Sequence, residues 1–298
     1  MLPALLLIIS AVLLCSCGGP SKNSTFSIRF IDVGQGDAAL VMCDGHSMLI
    51  DGGDKKHSKN VYNALEEEQV RHLDILAVSH FHTDHYAGLT SALANVSRID
   101  LAISNVDSYD NVAGIDEEEE ENAEIRKRVF SDFTHELSSA GASLRVPHAG
   151  DKYELGSATV EVVDVSSSQN NDSLVLLITY GKTKFLFTGD IEENAQKRIY
   201  EKYKDEDGAD KGYKLDLIKM PHHGAYTGSL YKFVRTFMPD YVVISVGQGN
   251  IYGHPKIETL DMLTNRKSGL QPKVYRTDKN GDIIVKSNGK ELSVETSK

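Results

Sequence analysis

Apolar residues fall at every second position in Phe26-Ser27-Ile28-Arg29-Phe30-Ile31, the alternation of a strand with one buried face. Asp44-Gly45 is a tight-turn signal between two strand-like runs, the second spanning Ser47 to Ile50. Residues 58 to 70 read as a helix, and Asp74 to Ser79 as an apolar strand that feeds a helix from His85 to Asn95. Asp116 to Glu121 is an unbroken acidic run, read as a solvated loop. It precedes a predicted helix from Ala123 to Ala140 that Gly141 stops. Strands are then expected at 158 to 165, 173 to 180, 184 to 188 and 214 to 220, with helices at 191 to 203 and 228 to 237. Tyr241 to Val246 is a β-branched run, followed by a helix at 256 to 265 and strands at 272 to 276, 281 to 286 and 291 to 295. No internal repeat or linker interrupts the pattern after Thr25. It therefore predicts one domain, residues 26 to 298, whose sheets carry helices on their outer faces.

Residues 1 to 17 stand apart. Leu2 to Leu14 is a nearly unbroken apolar run without charge, too short for a membrane span and well placed for a secretory segment. Its end, Leu14-Cys15-Ser16-Cys17, resembles the lipobox of bacterial lipoproteins, which implies a signal peptide over 1 to 17 and lipid on Cys17. It departs from that pattern in having no Lys or Arg before the run and a Cys at position 15. Gly18 to Thr25 then serves as a tether, and the expected location is extracytoplasmic, lipid-anchored to the bacterial cell membrane. Only Cys43 would remain, so no internal disulfide is expected and Cys43 reads as a strand residue.

Composition adds one constraint. The formal net charge of −11 belongs entirely to residues after position 17, so the surface is acidic and disfavours a long polyanion track.

The candidate chemistry starts at Ser79-His80-Phe81-His82-Thr83-Asp84-His85, three imidazoles and a carboxylate directly after an apolar strand. That mixed nitrogen and oxygen set suits Zn²⁺, Mn²⁺ or Fe²⁺. Asp190 in Thr188-Gly189-Asp190, and His222 and His223 in Pro221-His222-His223-Gly224, also follow apolar strands. So do the turns Asp32-Val33-Gly34-Gln35-Gly36-Asp37 and Ile50-Asp51-Gly52-Gly53.

Taken in order, these motifs, with Tyr252-Gly253-His254-Pro255 and Arg276-Thr277-Asp278, resemble the metallo-β-lactamase superfamily. More narrowly, they resemble its branch found as the hydrolase domain of ComEC-type DNA internalisation proteins. The resemblance spans roughly residues 26 to 288 and implies an α+β fold, an αββα sandwich holding two divalent metals, zinc or manganese. It implies His80 and His82 on the first metal, Asp84 and His85 on the second, and Asp190 bridging. His223, or alternatively His222, would complete the second site. No histidine precedes the strand leading to Thr188-Gly189-Asp190, where the chain reads Gln169-Asn170-Asn171-Asp172-Ser173. Asn170 or Asp172 is the possible substitute ligand, with His148 an outside candidate. Asp51 is expected to orient a ligand, and Asp37 and Gln35 to line the entrance. Asp84, His222 and His254 carry the catalytic expectations.

The implied activity is a metal-dependent phosphodiesterase or nuclease using a metal-activated hydroxide, with DNA or another phosphodiester as substrate. Rival readings are a hydrolase of a wall phosphodiester or a lactam, and a lipid-anchored binding protein that keeps the fold without turnover. The sequence identifies no protein partner and no oligomeric state.

Overall fold

The computed structural model describes residues 25–111, 120–167, 172–204, 212–228 and 230–298. Cys17 and its signal segment, the tether up to residue 24, most of the acidic run and Asn170 lie outside the described residues.

Fifteen strands are formed by the described residues. They are β1 (Phe26–Phe30), β2 (Ala39–Cys43), β3 (His46–Ile50), β4 (His72–Val78), β5 (Arg98–Ser104), β6 (Leu144–Arg145), β7 (Lys152–Leu155) and β8 (Ala158–Asp164). They continue as β9 (Val175–Tyr180), β10 (Thr183–Phe187), β11 (Leu217–Lys219), β12 (Tyr241–Ile244), β13 (Lys273–Arg276), β14 (Ile283–Ser287) and β15 (Leu292–Thr296). One sheet runs β15-β14-β1-β2-β3-β4-β5-β6 and the other β13-β12-β11-β10-β9-β8-β7. The helices are α1 (Ser58–Glu67), α2 (Thr83–Tyr86), α3 (Leu89–Ala92), α4 (Glu120–Ser139), α5 (Glu193–Lys202), α6 (Leu230–Phe237), α7 (Ile257–Thr264) and α8 (Thr277–Asn280).

The central strands are apolar on both faces, and the period of two sorts their side chains into separate cores. In β4, Ile75 and Ala77 enter the core between the sheets, whereas Leu76 and Val78 meet the helices outside. In β9, Leu176 and Ile178 face the other sheet while Val175 and Leu177 face α5 and α6. Phe26 stacks on Tyr180 and Phe185 at centroid distances of 4.8 and 5.0 Å, tying the sheets together. Each such pair contributes about 0.5–1.5 kcal/mol beyond area burial. Outside the first sheet, Val61 and Leu65 of α1, Leu89 of α3 and Phe133 of α4 fill one outer core. Outside the second, Ile199 of α5, Phe233 of α6 and Leu263 of α7 fill the other. The result is the expected αββα sandwich, a single α+β domain.

Two parallel blocks position the site. β3, β4, β5 and β6 are mutually parallel, as are β10, β11, β12 and β13, with helices as crossovers. Loops at the carboxyl ends of parallel strands form the natural crevice of such sheets. Asp51, His80, Asp190 and His223 all sit just past such ends.

The helix expected from His85 to Asn95 is broken into α2, α3 and a 3₁₀ turn, Leu93–Asn95. The break serves docking: Gly52 N donates to the His85 carbonyl and Gly88 N to that of Gly53. A Cβ on Gly88 would stand 2.1 Å from the Gly52 oxygen, so only glycine allows this approach. β5, β6 and β7 had no counterpart in the sequence reading; β6 and β7 are short edge strands and β5 carries charge at Arg98 and Asp100. No helix among the described residues is long and apolar enough to cross a membrane.

Candidate metal centre

Four imidazoles from two strand ends, those of β4 and β11, converge on the Asp190 carboxylate, which the Thr188-Gly189 turn carries past β10. Asp190 Oδ2 lies 3.3 Å from His85 Nε2, 3.4 Å from His223 Nε2, 3.8 Å from His222 Nε2 and 4.0 Å from His80 Nε2. Asp84 Oδ2 lies 3.2 Å from His223 Nε2 and 4.0 Å from His85 Nε2. His80 Nε2 shares a 2.9 Å hydrogen bond with His82 Nδ1. Among the groupings of the described residues whose ligand atoms lie close enough for one cation are His80, His85 and Asp190, and Asp84, His85 and His223; Asp37 joins two further ones, with Asp190 and His223 and with Asp51 and His85.

The other nitrogen of each buried imidazole is fixed from behind, which aims the free one at the centre. His85 Nδ1 faces Asp51 Oδ2 at 3.0 Å, and Asp51 in turn accepts from Ser79 N and Ser79 Oγ at 2.7 Å. His223 Nδ1 donates to the Ser245 carbonyl at 2.9 Å. Backbone strain serves the same purpose: Asp51, His222 and His223 hold positive φ of 58°, 48° and 52°, a region costly for side chains other than glycine. Gly36, at φ 145°, lets Asp37 N reach the Asp84 carbonyl at 3.1 Å, where a Cβ would sit 2.3 Å from that oxygen.

The set fits divalent cations. His85 Nε2, His223 Nε2 and Asp190 Oδ1 are buried without a hydrogen-bond partner, open coordination positions rather than members of a closed polar network. The electrostatics agree. Burial works against the charge on Asp190, yet His223 and His85 hold its pKa well below the usual carboxylate range. Burial opposes charge on His85, but Asp190 and Asp84 raise its pKa well above the ordinary value. The cluster thus carries an excess of negative potential that protons or metal ions would offset.

The structure separates the two histidines of the Pro221 loop. His223 is buried and reaches Asp84 and Asp190, whereas His222 is partly exposed with Nδ1 3.0 Å from Glu192 Oε1. His254 lines the same cleft, its rings 5.4 Å from His222. Burial, with His222 and His223 nearby, pushes its pKa down to about 4, so it is neutral at pH 7. Gln35 lines the cleft.

Three expectations are corrected. Asp37 is not at the entrance: it is buried behind the cluster, paired with Lys219 and 3.4 Å from His223 Nδ1. Asp172 does not reach the cluster, because its carboxylate accepts from Ser166 Oγ at 2.6 Å and faces Arg198 at 3.6 Å. Alternation along the chain turns the next residue inward instead, and Ser173 Oγ accepts from Asp190 N at 3.0 Å and lies 3.5 Å from His80 Nδ1. His148 is exposed beside Asp151 and belongs to no ligand grouping among the described residues. Lys219, Ser173 and Glu192 were missed. A lysine inside the apolar run Leu217-Ile218-Lys219-Met220 was the one signal available for them.

The comparisons agree with the fold and its motifs. ComE operon protein 3 of Bacillus subtilis (strain 168) is 24% identical over 284 residues, 89% of this chain and 33% of that protein. Recombination protein 2 of Haemophilus influenzae is 24% identical over 257 residues, 84% of this chain and 28% of that protein. Both are ComEC-type competence proteins, the branch that the motifs resemble, and the chain spans about a third of their length. Among solved structures, the metallo-beta-lactamase fold protein YhfI from Bacillus subtilis superposes with a TM-score of 0.54 at 12% identity, covering 88% of this chain and 100% of YhfI. The profile of the Metallo-beta-lactamase superfamily matches residues 31–248, most of the sandwich together with every candidate ligand, and the chain belongs to that superfamily.

Proposed function

We propose that the chain is an extracytoplasmic phosphodiesterase that depends on two divalent cations and acts on DNA or another phosphodiester. The observation that carries this reading is the convergence of four imidazoles on one carboxylate oxygen, Asp190 Oδ2. His80, His82 and Asp190 would hold one cation and Asp84, His85, His223 and Asp190 the other. Such ions supply Lewis acidity, which activates water near neutral pH and stabilises charge on a phosphoryl oxygen.

The chain's own residues supply the rest. Glu192 holds His222 through Nδ1, leaving Nε2 to carry a proton to the departing oxygen. His254, neutral at pH 7, offers an N–H to the phosphoryl group. Asp51 and the Ser245 carbonyl keep His85 and His223 in the required tautomers. Competence relatives support a nucleic acid as substrate, and the acidic surface favours a short contact with it.

Purified protein supplied with Mn²⁺ or Zn²⁺ is expected to cleave bis-p-nitrophenyl phosphate and DNA, and chelator is expected to abolish both activities. If both substrates survive and His82→Ala behaves as wild type does, the phosphodiesterase reading fails. One observation favours the rival reading of a binding protein: no histidine immediately precedes β9, and Ser173 there lies 3.5 Å from His80 Nδ1, not from the Nε2 that faces Asp190. Substoichiometric metal that does not exchange, with no turnover, would establish that reading instead.

Lipid on Cys17 belongs to the same proposal. Cys17→Ala is expected to lose palmitate labelling and to leave the membrane fraction; unchanged labelling would refute the anchor.

A further inference from the structure

The cleft over the metal cluster encloses about 620 Å³, and Arg126 of α4, Tyr252, His254 and Lys256 line it together with the ligands His82, Asp84, Asp190 and His223. Among the described residues, Arg126 is the arginine with buried, unpartnered nitrogens. Arg29, Arg71, Arg198 and Arg276 each hold a carboxylate, but Arg126 Nε and Nη2 are buried with no hydrogen-bond partner among the described residues. Guanidinium nitrogens buried without an acceptor are costly, and an anion in the cleft would relieve that cost. Guanidinium matches the paired oxygens of a phosphate in particular.

Across the cleft, Lys256 Nζ donates to the Tyr252 carbonyl at 2.7 Å and clips the loop before α7. Tyr252 is 57% exposed, and its ring lies nearly parallel to His254, 6.0 Å away at 27°. An exposed aromatic face fixed beside a lysine is the pattern on which unpaired bases stack.

We propose that Arg126, Lys256 and Tyr252 form a subsite for the nucleotide next to the scissile phosphate of a single-stranded polynucleotide. Arg126 would hold that nucleotide's own phosphate and the Tyr252 ring its base, leaving the scissile phosphate to the cations. The proposal rests on the phosphodiesterase reading and adds to it where the neighbouring nucleotide lies. It also reconciles a polyanionic substrate with a net charge of −11, since positive charge is needed only at the cleft.

The test is fluorescence anisotropy with a fluorescein-labelled phosphorothioate oligothymidylate and Mn²⁺-loaded protein over a salt series. Arg126→Ala is expected to weaken binding about tenfold and to lower the salt slope by about one ion, with Arg126→Lys restoring the slope. Tyr252→Ala is expected to weaken binding about tenfold at an unchanged slope. Failure of the wild type to bind, or an Arg126→Ala slope equal to wild type, overturns the subsite. So does equally tight binding of a glycerol phosphate polymer that is insensitive to Tyr252→Ala. Binding with these signatures, while the unmodified oligonucleotide stays uncut, would remove the hydrolase reading and leave the subsite standing.

Discussion

Asp190→Asn will lower hydrolysis of bis-p-nitrophenyl phosphate by at least about a thousandfold and reduce bound divalent metal to half or less of the wild-type content. The substitution keeps size and removes only charge. Asp190 Oδ2 lies within 4.0 Å of four imidazole nitrogens, and members of both ligand groupings are among them. A loss of about 4 kcal/mol in charge stabilisation suffices, since each 1.36 kcal/mol is tenfold in rate. Steady-state kinetics and elemental analysis decide it; a variant that keeps both metals and most of its rate would remove Asp190 from the centre.

The same residue predicts an acid limb in the stability of the metal-free protein. His223 and His85 outweigh burial and hold the Asp190 pKa well below its unfolded value of about 3.9. A depressed carboxylate stabilises the fold above that unfolded value, and the contribution is lost as pH falls through the lower folded one. Wild type should therefore lose more stability than Asp190→Asn below about pH 4.

Much of this centre was legible in the chain because its ligands follow strands buried on both faces. Ile75 to Val78 is apolar for two cores at once, so the polar run beginning at Ser79 marks the strand end sharply. The same contrast located Asp190 after β10 and the paired histidines after β11. What stayed hidden depends on geometry that periodicity does not carry. The burial of His223 rather than His222 goes with positive φ at both residues, which gives their Nδ1 atoms different partners. The choice of Ser173 over Asp172 is a matter of parity along the chain entering β9. β6 and β7 were missed because short edge strands bury one face or none, and the expected helix at 85 to 95 broke because Gly52 and Gly53 compete for its backbone. Asp37 read as an entrance residue because its partner, Lys219, is 182 positions away in sequence, counted from their numbers.

That pair gives the largest expected effect on stability. Lys219→Met will destabilise the metal-free protein by about 3–5 kcal/mol, because removing one partner of a buried ion pair strands the other. Lys219 is 3% exposed and Asp37 6%, and Lys219 Nζ also reaches the Gly189 carbonyl at 3.3 Å. Burial alone would raise the Asp37 pKa; Lys219 and His223 bring it below the ordinary value, so it is a charged carboxylate that would be stranded. Adding Asp37→Leu should recover most of the loss. An apolar pair of similar volume can replace a buried ion pair at little cost, and a cavity of about 20 Å³ walled by Phe30, Ile50, Leu174 and Phe187 gives the new side chain room. Activity should not recover with it. Asp37 Oδ1 lies 3.4 Å from His223 Nδ1 and Oδ2 lies 3.7 Å from His85 Nδ1, so its carboxylate helps to aim two ligand imidazoles at the centre. Urea denaturation of both single variants and the double variant, set beside their metal content, separates the two roles. A double variant no more stable than Lys219→Met would mean that the two charges are not coupled, and one that regained full metal content would free Asp37 from any part in orienting the histidines.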